Sequence, residues 1–147
     1  MFFSKKFSVF VYVILALIIG GLASSNTVDD IWYQALIKSP LNPPGYVFGI
    51  VWPILYLLMS ISAFRTFNET KNLFLIQLLF NTLWSWLFFA FQMPLVALLN
   101  IWLLIYLNIK INLKMYYIDK LSGLLFIPYV LWLFFASYLN LFIVLNN

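Results

Sequence analysis

The sequence predicts an all-α integral membrane protein, a single bundle of five transmembrane helices. Of its 147 residues, 65% are hydrophobic and 8% are charged, with a mean hydropathy of +1.03. A soluble domain has about 25% charged residues. The chain also contains five apolar runs, each close to the ~20 residues that a helix needs to cross the hydrocarbon layer. The runs are 7–22, 46–64, 73–93, 95–113 and 121–145, and we treat 1–147 as one domain.

The first run, 7–22, follows a pair of lysines and precedes the small residues 23–25. This arrangement is compatible with a cleaved signal peptide or with a retained membrane helix. We favour the retained helix because the apolar stretch is long for a signal peptide. Ala16 and Gly20 are four residues apart, a spacing that offers a contact surface to another helix.

The longest polar stretch, 23–45, lies between the first and second runs. Residues 29–37 are arranged as one or two amphipathic helical turns. Three prolines between 40 and 44 restrict the backbone before the second run begins, and Asn42 is suited to a turn or a helix cap. A loop of this length more often has a function than serves only as a connection. We therefore expect a semi-rigid lid over one end of the bundle.

The third and fourth runs are separated by Pro94 with almost no connecting loop, which predicts an antiparallel helix hairpin. The fifth run, 121–145, is again continuously apolar. Because none of the runs alternates polar and apolar residues, a transmembrane β-barrel is disfavoured.

The basic residues are distributed unequally between the two sides that five crossings define. Seven of the eight lie on the N-terminal side, and Lys38 lies on the other. The positive-inside rule then predicts a cytoplasmic N-terminus and an external lid, with the bacterial inner membrane as the default location. The basic residues form no stripe, so nucleic acid is not an expected partner. The seven are Lys5, Lys6, Arg65, Lys71, Lys110, Lys114 and Lys120.

The composition excludes several classes of chemistry. The chain has no cysteine and no histidine, so thiolate nucleophiles, Cys-ligated metals, an imidazole base and a histidine haem ligand are excluded. Its four acidic residues lie in short polar breaks, and we expect no metal site and no cofactor. None of the runs carries a charge at its middle, which argues against proton pumps and ion-coupled transporters.

Three of the runs carry an aromatic stripe with amide or small residues at helical spacing. Taken alone, such stripes usually form core contacts, interfacial belts or hydrogen bonds between helices. The stripes are Phe48, Trp52, Tyr56 and Met59; Gln77, Asn81, Trp84, Ser85 and Phe88; and Tyr129, Trp132, Ala136 and Asn140.

Two tryptophans are less well explained as core or interfacial residues. Trp52 and Trp132 lie several residues inside their runs, and Ala136, one turn from Trp132, leaves space that a flat ligand could occupy. The stripes therefore predict a cavity with aromatic walls and amide or hydroxyl groups under the lid, which is typical of a site for an apolar small molecule.

An ordered set of residues along nearly the whole chain resembles the TspO/MBR family of tryptophan-rich sensory or translocator proteins. Any one pair would be weak evidence, but the set is specific. It comprises Trp32-Tyr33, Leu36, Lys38, Asn42-Pro43-Pro44, Val47-Phe48, Trp52, Leu55-Tyr56, Gln77, Asn81, Trp84, Trp86, Phe88-Phe89, Pro128-Tyr129, Trp132, Phe135-Ala136 and Leu139-Asn140.

The resemblance implies five membrane helices, commonly paired as a homodimer, with a first loop that closes a ligand pocket. Family ligands include protoporphyrin, sterols in some members, and benzodiazepine-type and isoquinoline carboxamide compounds. Around Lys38 the chain departs from the family order, so an aromatic lid contact is missing. Separately, we give sterol binding little weight. Together with the stripes, the resemblance implies ligand contacts from Trp52, Tyr56, Asn81, Trp84, Phe88, Trp132 and Ala136, and a lid containing Trp32, Tyr33 and Pro44.

Three functions follow in order of preference. The first is a receptor or carrier that binds tetrapyrroles such as protoporphyrin for sensing, sequestration or transport. The second is a light- and oxygen-dependent porphyrin-degrading enzyme in which Trp52 and Trp132 carry the electron transfer, since the chain supplies no conventional acid, base or metal. The third is a structural membrane subunit that contacts a partner through the small-residue face at Ala16 and Gly20.

Overall fold

Six α-helices follow one another in the computed structural model, which describes residues 2–25 and 30–147. In that part of the chain there is no β-strand, and five helices are long and apolar enough to cross a membrane. The predicted all-α fold with five spans is confirmed. The helices are α1 Phe2–Ser24, α2 Ile31–Ala35, α3 Gly45–Arg65, α4 Phe67–Ser85, α5 Pro94–Ile118 and α6 Lys120–Asn146, with a π-helical turn over Trp86–Ala90.

The helices extend beyond the apolar runs at the end where the basic residues lie. Helix α4 begins at Phe67, before the run 73–93, and α5 reaches Ile118, beyond the run 95–113. Lys71 and Lys114 are therefore helical, and both are exposed. Long basic side chains are tolerated in end turns because the ammonium group reaches water while the stem covers apolar surface.

Helix α1 packs against α3, α4 and the π-helical turn. Val9, Val13 and Ala16 on its inner face are buried. Gly20 is buried too, and a Cβ there would lie 3.6 Å from the Oγ of Ser85. The prediction that Ala16 and Gly20 present a surface to a partner is therefore wrong, because this close approach is used inside the chain.

The predicted hairpin between the third and fourth spans is present and very tight. The chain reverses between Phe91 and Met93, with Gln92 at a positive φ of 55°. The amide of Met93 donates to the carbonyl of Leu87 at 2.9 Å, and Pro94 then occupies the first turn of α5, where its missing N–H costs nothing.

Helices α5 and α6 pack closely against each other near their connecting turn. The buried Gly123 lies against Tyr116, and the Asn112 amide donates to the Gly123 carbonyl at 2.8 Å. Glycine allows this approach because a side chain would meet the facing backbone.

The same turn carries Asp119, whose carboxylate accepts hydrogen bonds from Arg65 at 2.7 Å and from the Ser122 hydroxyl at 2.6 Å. The bonds from Arg65 and Ser122 lower the pKa of Asp119 from 3.8 to about 2. A carboxyl group with a lowered folded-state pKa stabilises the fold above pH ~4, and that stabilisation is lost as the pH falls towards ~2.

We therefore expect the unfolding temperature in detergent to fall more steeply below pH ~4 for the native chain than for Asp119→Asn. Thermal unfolding at a series of pH values measures the two slopes. Equal slopes would show that the contact contributes nothing to the acid dependence.

Candidate ligand-binding site

A cavity of about 620 Å³ lies under the segment between α1 and α3. Its walls come from α1, α3, α4, the π-helical turn and α6, and its cover from residues of the lid. Sites for small molecules commonly enclose about 300–1,000 Å³ and are lined mainly by apolar and aromatic side chains. The cavity has the size and wall chemistry of such a site.

The predicted ligand-contacting residues all line this one cavity, although they come from three different helices. Their faces were inferred separately from helical spacing, and the tertiary packing brings the three faces together. The residues are Trp52, Tyr56, Asn81, Trp84, Phe88, Trp132 and Ala136.

The aromatic walls are made of rings in contact with one another. Trp52 and Trp132 meet edge to face, with ring centroids 6.2 Å apart and planes at 86°. Phe48 stands edge-on to Trp132 at 5.9 Å. Trp84 and Phe88, from α4 and the π-helical turn, are stacked at 5.4 Å. These contacts hold the ring planes in place, so the walls are largely preformed.

A chain of hydrogen bonds forms the floor of the cavity. The Tyr56 hydroxyl donates to Asn81 Oδ1, and Asn81 Nδ2 donates to the Tyr129 hydroxyl at 2.8 Å. Tyr129 in turn donates to Gln77 Oε1 at 2.7 Å, and Gln77 Nε2 lies 3.7 Å from the sulfur of Met59. The bonds to both sides fix the orientation of the Asn81 amide. Gln77 thus forms a hydrogen bond between α4 and α6, as expected for an amide that bonds to a neighbouring helix.

Asn140, also part of a predicted stripe, orients one wall. Its Oδ1 accepts from the Trp84 indole at 3.0 Å, and its Nδ2 donates to the Pro94 carbonyl at 2.9 Å. Asn140 does not line the cavity, so it acts by holding Trp84 and the start of α5 together.

One polar atom in the wall has no partner. The indole nitrogen of Trp132 is buried, and no acceptor within the described residues takes its hydrogen. An unpaired buried donor costs free energy comparable to a lost hydrogen bond. The nitrogen is closed to any molecule in the cavity, so Trp132 contributes its ring to the lining.

The lid contains the short helix α2, whose start is capped by Asp30. The Asp30 carboxylate accepts from the Trp32 amide at 3.0 Å. Tyr33 and Pro44 line the cavity, whereas Trp32 does not and packs edge-on against Phe88 at 6.0 Å. Residues 26–29 of the predicted lid, Asp29 among them, lie outside the described residues.

Two contacts tie the lid to α6. The Ser39 hydroxyl lies 2.7 Å from that of Tyr138. The backbone N–H of Ile37 donates to Asn147 Oδ1 at 2.9 Å, and Asn147 Nδ2 donates to the Ile37 carbonyl at 3.0 Å. Asn42 belongs to a turn, since its backbone N–H donates to the Ser39 carbonyl. The N-cap of α3 is Pro44 and not Asn42. The middle of the lid, at residues 37–39, is thus held against α6 and the residue that follows it.

Burial also shifts ionisation within the lid. The pKa of the Tyr33 hydroxyl is raised by burial, an effect that a hydrogen bond with Asn42 partly offsets. The pKa of the Lys38 ammonium is lowered by burial. Both side chains line the cavity, so its mouth is partly shielded from water.

The sequence patterns missed several residues of the cavity. Phe89 lines it next to Phe88, and its spacing of eight residues from Asn81 and four from Ser85 was an available signal. Leu17 and the Gly20-Gly21 pair come from α1, where nearly uniform hydrophobicity hides the inner face. Gly20 was an available signal in α1, but its spacing from Ala16 predicts a partner contact instead.

Comparison with known proteins identifies the family of the chain. A sequence profile of the TspO/MBR family matches residues 8–145. The tryptophan-rich protein TspO of Archaeoglobus fulgidus is 36% identical over 146 residues, covering 92% of this chain and 94% of its own length. Its namesake from Chlorobaculum tepidum is 35% identical over 144 residues, covering 90% and 91%. The Homo sapiens translocator protein is 29% identical over 119 residues, covering 74% and 70%. This chain therefore belongs to the TspO/MBR family of multi-pass membrane proteins.

Proposed function

We propose that this protein is a membrane receptor or carrier for tetrapyrroles, with metal-free protoporphyrin as the representative ligand. The observation that carries the proposal is the single cavity of about 620 Å³, in which indole rings from α3, α4 and α6 converge under the lid. A flat conjugated ring fits such walls because aromatic faces and edges attract one another in offset and edge-on arrangements.

The chemistry of the walls favours porphyrin over haem. The chain contains no histidine and no cysteine, the side chains that most often hold haem iron. Recognition would instead use stacking on Trp52 and Trp132 and hydrogen bonds to the amide of Asn81.

The remaining expectations from the sequence are part of the same proposal. We place the N-terminus in the cytoplasm and the lid outside, in a bacterial inner membrane, from the unequal distribution of basic residues. A homodimer and binding of isoquinoline carboxamide or benzodiazepine-type compounds come from the family resemblance. Relatives bear the names tryptophan-rich sensory protein and translocator protein, which fits sensing or transport of the bound ligand.

Trp132→Phe should weaken protoporphyrin binding about 2- to 10-fold, since an aromatic pair contributes about 0.5–1.5 kcal/mol beyond its buried area. The measurement is a titration of purified protein in detergent, followed by tryptophan quenching and by the porphyrin absorption band. Trp102→Phe is the matched control, because Trp102 lies outside the cavity and its indole donates to Ser137.

Equal affinities for the native chain and for Trp132→Phe would contradict the proposed site. The same samples test the enzyme alternative. A porphyrin spectrum that stays constant under illumination in air indicates a binder, whereas bleaching that continues beyond one equivalent of pigment indicates turnover by the indole pair.

A further inference from the structure

Lys38 is the one charged side chain among the described residues that line the cavity. It belongs to the lid, so its ammonium lies at the mouth and not among the indoles of the walls. It is also the one basic residue on its side of the predicted topology, opposite the seven at the other end of the bundle. The mouth of the cavity therefore carries an isolated positive charge.

The ammonium group is only partly satisfied by the protein. Nζ donates to the Tyr33 carbonyl at 2.7 Å, reaches the Leu36 carbonyl at 3.5 Å, and stands 4.4 Å above the centre of the Tyr33 ring. A lysine ammonium has three hydrogens, and no carboxylate in the described part of the chain forms an ion pair with Lys38. Carbonyl dipoles and a ring face orient the group, but its charge is not neutralised.

A purely structural role would explain the two carbonyl contacts. Basic side chains commonly donate to the last carbonyls of a helix, and α2 ends at Ala35. That role does not require the side chain to line a cavity, and it supplies the ammonium with no counter-ion. The position is favourable when the occupant of the cavity brings a negative group.

The geometry points to Lys38 as a carboxylate-binding subsite at the cavity mouth, so that the ligand is a flat apolar molecule carrying at least one acidic side arm. This inference rests on the proposed function and restricts its ligands to those that carry an acidic group. An aromatic macrocycle would lie between Trp52 and Trp84, while its carboxylate reaches Lys38 and the polar groups of the lid. Neutral flat molecules would use the walls and leave the ammonium unpaired.

The test compares protoporphyrin with its dimethyl ester, which keeps the ring and removes both charges. The native chain should bind the diacid about 10-fold more tightly than the ester, the size expected for one charge-assisted hydrogen bond. Lys38→Gln should abolish this preference by weakening the diacid more than the ester. Lys38→Arg should retain the preference, because it keeps the charge.

The controls separate this subsite from the cavity itself. Lys71→Gln removes an exposed charge at the opposite end of the bundle and should leave the preference intact. If the native chain binds diacid and ester equally, the subsite is refuted and the aromatic site stands. If Lys38→Gln weakens both ligands by the same factor, Lys38 supports the lid and does not contact the carboxylate. If the native chain binds neither ligand, the proposed function fails and the subsite fails with it.

Discussion

Gly123→Ala is expected to be strongly destabilising although it adds one methyl group. A Cβ at this position would lie 2.5 Å from both the Cα and the Cβ of Tyr116 on the facing helix. Real Cβ contacts are never that short, and the Cα of Tyr116 cannot move without shifting α5 against α6. Forcing atoms into a packed interface costs about 1–3 kcal/mol, and more where backbone must move.

The measurement is the free energy of unfolding in mixed micelles, with increasing denaturing detergent. Gly49→Ala in α3 is the matched control, because a Cβ there would meet nothing within 4 Å, and alanine is the better helix former. Gly49→Ala should be neutral or stabilising. If both variants unfold alike, α5 and α6 are not as close at Gly123 as the structure places them.

Asn81→Leu should give the second large effect, by breaking the floor of the cavity. Leucine has nearly the same size but neither donates nor accepts, so the buried Tyr56 hydroxyl loses its acceptor and Tyr129 loses a donor. An unsatisfied buried polar group costs about 1–3 kcal/mol in proteins generally. Hydrogen bonds between membrane helices contribute about 0.6–1.7 kcal/mol. We therefore expect a loss of about 1–2 kcal/mol.

A double variant tests whether the loss comes from the orphaned hydroxyl. Adding Tyr56→Phe to Asn81→Leu removes the unpaired group, so the double variant should be more stable than Asn81→Leu alone. Strict addition of the two single losses would show that Tyr56 and Asn81 do not interact. Asn72→Leu serves as the control, since Asn72 is an exposed amide of the same helix and its replacement should change stability little.

Local pattern was sufficient for the parts of the site that lie on regular helices. The four-residue steps from Trp52 to Tyr56, from Gln77 to Asn81 and from Trp132 to Ala136 assign each set to one face, because every α-helix repeats the same rotation per residue. A polar side chain on such a face in lipid must point towards other helices. The residues predicted in this way line one cavity or lie directly beneath it.

The pattern was insufficient at several positions. Phe89 lies in the π-helical turn over Trp86–Ala90 and lines the cavity, and nothing in the residue types distinguishes that turn from ordinary helix. The pattern also does not tell which lid rings face the cavity, and that of Trp32, within the predicted lid, packs against Phe88 instead. The small-residue spacing at Ala16 and Gly20 was assigned to a partner, although Ser85 of the same chain fills that place.

The sequence by itself determined that the chain is a membrane protein with five spans and which faces of those spans are polar. Both follow from the transfer free energy of consecutive residues, which is a local property. The tertiary structure alone decided that the tryptophan faces meet around a hollow, that Gly20 and Gly123 are contact points inside the chain, and that Lys38 stands at the cavity mouth. These depend on distances between residues far apart in sequence, which are set by the fit of whole helix surfaces.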